Sequence, residues 1–255
     1  VDFQPLDPAA LPPEDRWILS RLVRAVALVD GELGRYNPSA AISAARDFFW
    51  SELCDWYLEL IKPRLRGESG AVRARQVLAF VFDQVLRLLH PFVPFITEAL
   101  WERLNQQAPA RGIGRRIEAA GLVATSAWPR PEAAWRDEEL EARFHHLQET
   151  IRAIRDIRAK HGLPPTHPLT AHLRIRGAAG EGLRGLEELI AGIAFLDAFD
   201  LAPAVERRPD AAVAVIGAGE VQVEGVVDPE KERAGLARER EKLRGRIAGA
   251  EKKLA

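Results

Sequence analysis

Methionine is absent from this 255-residue chain, cysteine occurs once and tyrosine twice. The lone thiol, Cys54, excludes an internal disulfide framework and a cysteine-built zinc cluster, and it fits a reducing compartment. No apolar run reaches the roughly 18 residues that a bilayer span needs, and no charged-then-apolar leader opens the chain, so a cytoplasmic protein without a membrane segment is expected. With no methionine and Val1 in first place, the chain reads as a processed or truncated piece of a longer product. An excess of one charge is missing too: 36 Lys and Arg against 37 Asp and Glu leave a net charge of −1, so no global field draws the molecule to a polyanion. Any nucleic-acid contact has to come from local patches. The histidines form no HExxH pattern and lack carboxylate partners, which argues against a metal site. The glycines of GAGEVQVEG at 217–225 precede no helix and read as a hairpin, not a phosphate loop. With no acid/base pair, triad or phosphate cradle, no catalytic residue, metal ligand or cofactor site is expected in this chain.

What is present is a series of amphipathic helices, with 47% hydrophobic residues to fill their cores. Residues 1–13 are proline-rich and read as a linker or docking strand. Pro12, Pro13, Glu14 and Asp15 suit a first helical turn, and Trp17, Ile18, Leu22, Val26 and Val29 continue at three- and four-residue spacing to Gly31 or Gly34. Asn37 and Pro38 start a second helix with Ile42, Ala45, Phe49, Leu53, Trp56 and Leu60 on one stripe, closed by Pro63 and Gly67. A third runs from about Ser69 to Leu89, and a fourth from Pro94 to Leu104. Together with a crossing loop over about 108–137 they predict an antiparallel helical bundle at 14–137. Leu140, Phe144, Leu147, Ile151 and Ile154 predict a long helix ending at Gly162. Alternation at 166–177, a helical pattern at 183–196 and two strands around Gly217 to Gly219 then suggest a small α+β domain over 138–228. Residues 229–255 place Leu236, Leu243 and Ala250 on one heptad position and Arg240, Ile247 and Leu254 on the other, as in one arm of a coiled coil lacking its partner.

Three basic surfaces stand out. On the second helix, Lys62, Arg64 and Arg66 adjoin Trp56, Tyr57 and Leu58, combining the aromatic and cationic groups that hold splayed bases and phosphates. Most of those aromatics suit core packing better than RNA. Tyr57 and Leu58, off the apolar stripe of an ideal wheel, are the two that could meet RNA. Arg152, Arg155, Arg158 and Lys160 adjoin the buried-face isoleucines of the long helix, and a phosphate-binding strip and a merely solvated one fit them equally well. In the tail, nine bases outnumber five acids.

The combination FFWSELCDWYLELIKPRL at 48–65 and HPFVPFITEALWERL at 90–104 resembles the anticodon-binding helical domain of valyl-tRNA synthetases. DRWILSRL at 15–22, RYNPSAA at 35–41, IRAIRDIRAKHGLPP at 151–165 and VEGVVDPEKER at 223–233 extend the resemblance over nearly all of 14–255, in the family's order. The HIGH-type and KMSKS-type motifs of that family's catalytic half are absent. The resemblance implies a mainly α, class I anticodon-binding bundle, then a small α+β domain and the first arm of a coiled coil. It implies a tRNA-binding part of an enzyme that joins valine to tRNA-Val using ATP and magnesium, inactive alone and working with its catalytic domain in cis in a monomeric parent. Leu58, with Tyr57 beside it, would then lie at an anticodon base and Lys62 and Arg64 at phosphates. Arg152, Arg155, Arg158, Arg240 and Arg244 would lie along the tRNA backbone. The competing expectation is a protein-binding helical scaffold that associates through its tail seam.

Overall fold

The structure, a computed structural model, describes residues 3–67, 70–164, 166–206, 208, 210–227, 240–244 and 247. The chain is mainly α and forms two compact units, Val1–Phe144 and His145–Ala255.

The first unit is built on α1 (Pro13–Gly34), α2 (Pro38–Asp47), α3 (Leu58–Arg66), α4 (Ala71–Leu89) and α5 (Pro94–Gln107). Proline at the first turn of α1, α2 and α5 costs no hydrogen bond, because those N–H groups have no partner inside the helix. Asn37 caps α2 as its sequence position suggests, accepting from the Ala40 N–H at 3.3 Å. Between α2 and α3 the backbone does not stay α: Phe48–Tyr57 is a π-helix, and the Leu58 N–H bonds back to the Leu53 carbonyl. The wider i→i+5 ladder breaks the 3.6-residue phase. Phe48 turns into the core, Phe49 is only half-buried, Trp50 is 62% exposed, and Trp56 and Tyr57 are both buried. Pro63 does not stop the helix, which continues to Arg66. Trp17 stacks on Phe144 with centroids 5.1 Å apart, beside fully buried Ile18, Leu19 and Leu22.

The proline-rich opening docks on this unit. Gln76 exchanges two bonds with the Gln4 backbone, at 3.0 and 2.6 Å, and the Leu6 N–H donates to the Ile113 carbonyl at 2.9 Å. The crossing loop carries a two-stranded ribbon, β1 (Ala110–Arg111) with β2 (Ile117–Glu118).

Helix α6 (Glu138–Lys160) leads into the second unit, where Leu147, Ile151, Ile154 and Ile157 are buried. There β3 (Leu169–Ile175), α7 (Gly177–Glu181), α8 (Glu187–Ala194), β4 (Leu196–Ala202), β5 (Ala212–Ile216) and β6 (Gly219–Val223) form an α+β fold with strand order β4-β3-β6-β5. Strand β3 alternates buried and half-buried residues, as a two-residue period requires. Its half-buried face pairs across strands: the His172 ring bonds Glu224 at 2.7 Å, and Arg174 donates to Glu220 at 2.6 Å. Gly219, with φ +150°, starts β6 where a Cβ would lie 2.0 Å from the Arg174 carbonyl oxygen, so no other residue fits that approach. Strand β4, parallel to β3, begins at Leu196, where the helical pattern of 183–196 ends; Phe195 at φ 53° stops α8 and turns the chain into the sheet. Of the tail seam, Leu243 and Ile247 are exposed, whereas Leu236, Ala250 and Leu254 fall outside the described residues, as does most of the expected coiled-coil arm. Among the described residues, no helix is long and apolar enough to cross a membrane.

Candidate nucleic-acid interface

The residues expected on the α3 surface divide by where the π-helix leaves them. Tyr57 is a correction: it is fully buried, and its hydroxyl donates to Asp15 at 2.8 Å. An ideal α-wheel puts Tyr57 off the apolar stripe, but ten residues of π-helix rotate it inward. Burial and the neighbouring Asp15 carboxylate push its phenol well above the ordinary value, so it stays a neutral donor.

Arg64 is the second correction. Its guanidinium makes a two-pronged bond to Asp15, at 2.9 and 2.8 Å, and also donates to Glu14 at 2.6 Å. Asp15 and Glu14 are both buried, so Arg64 is a strut between α3 and the first turn of α1 and is not presented to a phosphate. Burial alone would lower the Arg64 guanidinium, but the bonds and charges of Asp15 and Glu14 outweigh it and hold it above its ordinary value. Glu14 moves the other way from a typical paired carboxylate: burial raises it, and Arg64 compensates only in part. No local pattern links these partners, which lie 49 and 50 residues apart.

Leu58 and Lys62 are one helical turn apart. Leu58 is half-buried, and Lys62 is exposed and ion-paired with Glu59 through side chains that are both about half in solvent. An exposed pair of this kind is weak and exchanges readily for another anion. The face is thus an apolar step beside a mobile cation.

On α6, the expected basic strip is split. Arg152 and Arg155 are exposed, with Arg155 reaching the Ile193 carbonyl at 3.4 Å. Arg158 is a third correction: it is 4% exposed and donates to the carbonyls of Pro164, His167, Ala194 and Phe195. Position 158 falls on the apolar face with Ile151 and Ile154, where a charged residue is held only because four backbone acceptors surround it. Burial lowers its guanidinium from the ordinary value. Arg240 and Arg244 are exposed on a helical segment, four residues apart and hence on one face.

In the first unit Leu58 and Lys62 thus remain accessible, and in the second Arg152, Arg155, Arg240 and Arg244 are exposed. The first pair offers an apolar and a cationic contact, and the arginines offer cations. Among the described residues, no group of three His, Cys, Asp or Glu side chains is placed to hold a metal ion.

Comparison with known proteins gives these residues a context. The family model for the anticodon-binding domain of tRNA ligases matches residues 15–173. A valine–tRNA ligase of Rhodopirellula baltica is 35% identical over 99% of this chain and 25% of its own length. One from Symbiobacterium thermophilum is 36% identical over the whole chain and 30% of its own length. A third, from Fervidobacterium nodosum, is 40% identical over 64% of the chain. The chain thus spans between a quarter and a third of the first two relatives. The match crosses the bundle and runs through α6 into β3, and on it the chain belongs to the anticodon-binding domain family of tRNA ligases.

Proposed function

We propose that this chain is the tRNA-holding part of a cytoplasmic valine–tRNA ligase, reading the anticodon loop of tRNA-Val with its helical unit and bracing the tRNA backbone elsewhere. The observation that carries the reading is the Leu58–Lys62 face on α3, an apolar side chain and an exposed cation on consecutive turns within the region matched by the anticodon-binding family. Leu58 would pack against an anticodon base while Lys62 exchanges Glu59 for a phosphate. Arg152, Arg155, Arg240 and Arg244 would follow the backbone. ATP, magnesium and the ligation itself would belong to a catalytic domain joined to this chain in a monomeric parent.

The test is fluorescence anisotropy of the chain with a tRNA-Val transcript and an anticodon-swapped copy. The cognate transcript is expected to bind more tightly. Leu58→Ala is expected to cost about 1–2 kcal/mol of cognate binding, from the apolar surface it no longer covers, with the unfolding midpoint little changed. Equal affinity for the two transcripts in the parent chain, or a Leu58→Ala chain that discriminates as well as the parent, would refute the anticodon assignment. Charge reversal at Arg240 and Arg244 is expected instead to weaken all tRNAs alike and to reduce the slope of log affinity against log salt by about one to two units. An unaltered slope would mark these arginines as solubilising only.

A second reading draws on Leu243 and Ile247, which are 48% and 58% exposed on the tail helix. Their seam could pair two copies of the chain. Sedimentation that stays monomeric at high micromolar concentration would remove that reading.

A further inference from the structure

A cavity of about 310 Å³ opens beside α4 in the first unit, walled by the crossing loop. Near it Gly112, with φ +131°, brings the backbone so close to Arg115 that a would-be Cβ would lie only 1.9 Å from the Arg115 carbonyl oxygen. Only glycine makes that turn, and the turn presents Arg115 at the cavity.

The lining carries four arginines against two carboxylates, Asp83 and Glu132. Two of the arginines form the floor. Arg111 is 2% exposed and donates to Asp83 at 2.5 Å, while Arg87 shares the same carboxylate at 2.8 Å. Both guanidiniums also lie over the Trp101 ring, at 4.4 and 5.2 Å from its centroid. The two guanidiniums share one carboxylate; Arg111 also donates to the Ala108 carbonyl and to Asn105, and Arg87 to the Ala127 carbonyl, so one of the two positive charges is held by neutral acceptors without an ionic partner. Burial accordingly holds Arg111 below its ordinary value. The other two, Arg115 and Arg130, are exposed and have no acidic partner among the described residues.

The remaining wall is aromatic. Trp135 meets Phe80 edge-on, with centroids 5.7 Å apart, and Trp128 is fixed in place by donating its indole N–H to Asp30 at 2.6 Å. Indole rings lining a cleft together with planar cations suit a base and its phosphate together. The volume lies at the small end of ligand pockets, the size of one nucleotide.

We propose that this cleft binds a single nucleotide, with its phosphate between Arg115 and Arg130 and its base against Trp128 and Trp135. The nucleotide is either free or one extruded from an RNA chain. The site is separate from the Leu58–Lys62 face and does not depend on anticodon reading.

The test is calorimetry and tryptophan quenching of the whole chain with AMP, adenosine and inorganic phosphate, followed by competition of AMP against tRNA. AMP is expected to saturate one site, with adenosine and phosphate each about tenfold weaker or more, and Arg115→Ala/Arg130→Ala and Trp128→Leu are each expected to lose about tenfold, 1.4 kcal/mol. AMP that displaces tRNA identifies the RNA source, and AMP that binds without displacing it identifies a free nucleotide. If AMP does not bind but both variants weaken tRNA, including the charge-neutral Trp128→Leu, the site takes only a nucleotide within RNA. Phosphate binding as tightly as AMP, variants that bind AMP undiminished, or no AMP binding with unchanged tRNA affinity in the variants would each overturn the proposal. Loss of anticodon discrimination would not touch it, because AMP carries no anticodon.

Discussion

Asp15→Ala is expected to destabilise the helical unit by about 3–5 kcal/mol, the range for removing one partner of a buried charge pair. The carboxylate is inaccessible and accepts three bonds, one from the Tyr57 hydroxyl and two from Arg64. Its loss leaves the phenol hydroxyl without an acceptor in the core, and Arg64 with Glu14 alone. The phenol cannot reach water without opening the packing of α3 on the first turn of α1, whereas Arg64, with 19% of its side chain exposed, keeps part of its hydration. The effect should be larger than that of Tyr57→Phe, which removes a single bond and should cost about 1–2 kcal/mol. It should also be partly reversed in Asp15→Ala/Arg64→Met, where the stranded cation is replaced by an apolar chain of similar length. Urea unfolding of the four proteins measures this directly. A midpoint for Asp15→Ala within error of the parent would mean that the strut is too solvated to matter. Because Arg64 is committed to this network, Arg64→Met should lower tRNA affinity only as far as it unfolds the chain.

The same network marks the boundary of what could be read in advance. The starts of α1, α2 and α5 were legible because proline and asparagine act within one turn of themselves. The alternation of β3 and the break at Gly162, with φ +65°, were legible for the same reason. Phase on α3 was not: nothing in FFWSELCDWY announces an i→i+5 ladder, and a single change of helical pitch moved Tyr57 from the surface to the core while Leu58 kept part of its exposure. Strand β4 is not legible because its pattern, LDAFDLA, has no buried position and follows a helix without glycine or proline between them. The turn there rests on Phe195, a residue type seldom found at positive φ. Arginine was the least legible residue type. Its charge suggests a surface, yet Arg64, Arg111 and Arg158 are each drawn inward by a partner 28 to 50 residues away, which no local window joins.

Arg158 carries the other large expected effect. Arg158→Lys should lower the stability of the second unit by about 2–4 kcal/mol, since a buried carbonyl left without its donor costs about 1–3 kcal/mol and more than one is affected. The guanidinium serves two turns at once: the carbonyls of Pro164 and His167 just beyond α6, and those of Ala194 and Phe195 where α8 passes into β4. Lysine keeps the charge but not the planar fork, so its ammonium cannot face both turns. Phe195 also sits at φ 53°, a conformation costing of order 1 kcal/mol that the surrounding bonds must hold. Hydrogen exchange should therefore quicken first at Leu163, Thr166 and His167 and at 194–196, ahead of the central strands β3 and β6, because only those turns lose a clasp. Uniform acceleration across the unit would instead place Arg158 in the global core. The RNA readout separates a structural role from a binding one. Arg158→Lys preserves charge, and a buried group releases no counter-ions from a phosphate, so the salt dependence of tRNA binding should match the parent. Arg152→Ala/Arg155→Ala, removing two exposed cations from the same helix, should flatten it while leaving exchange near 194–196 unchanged. A flattened salt slope in Arg158→Gln without loss of stability would return Arg158 to the phosphate-binding strip and refute its role as a clasp.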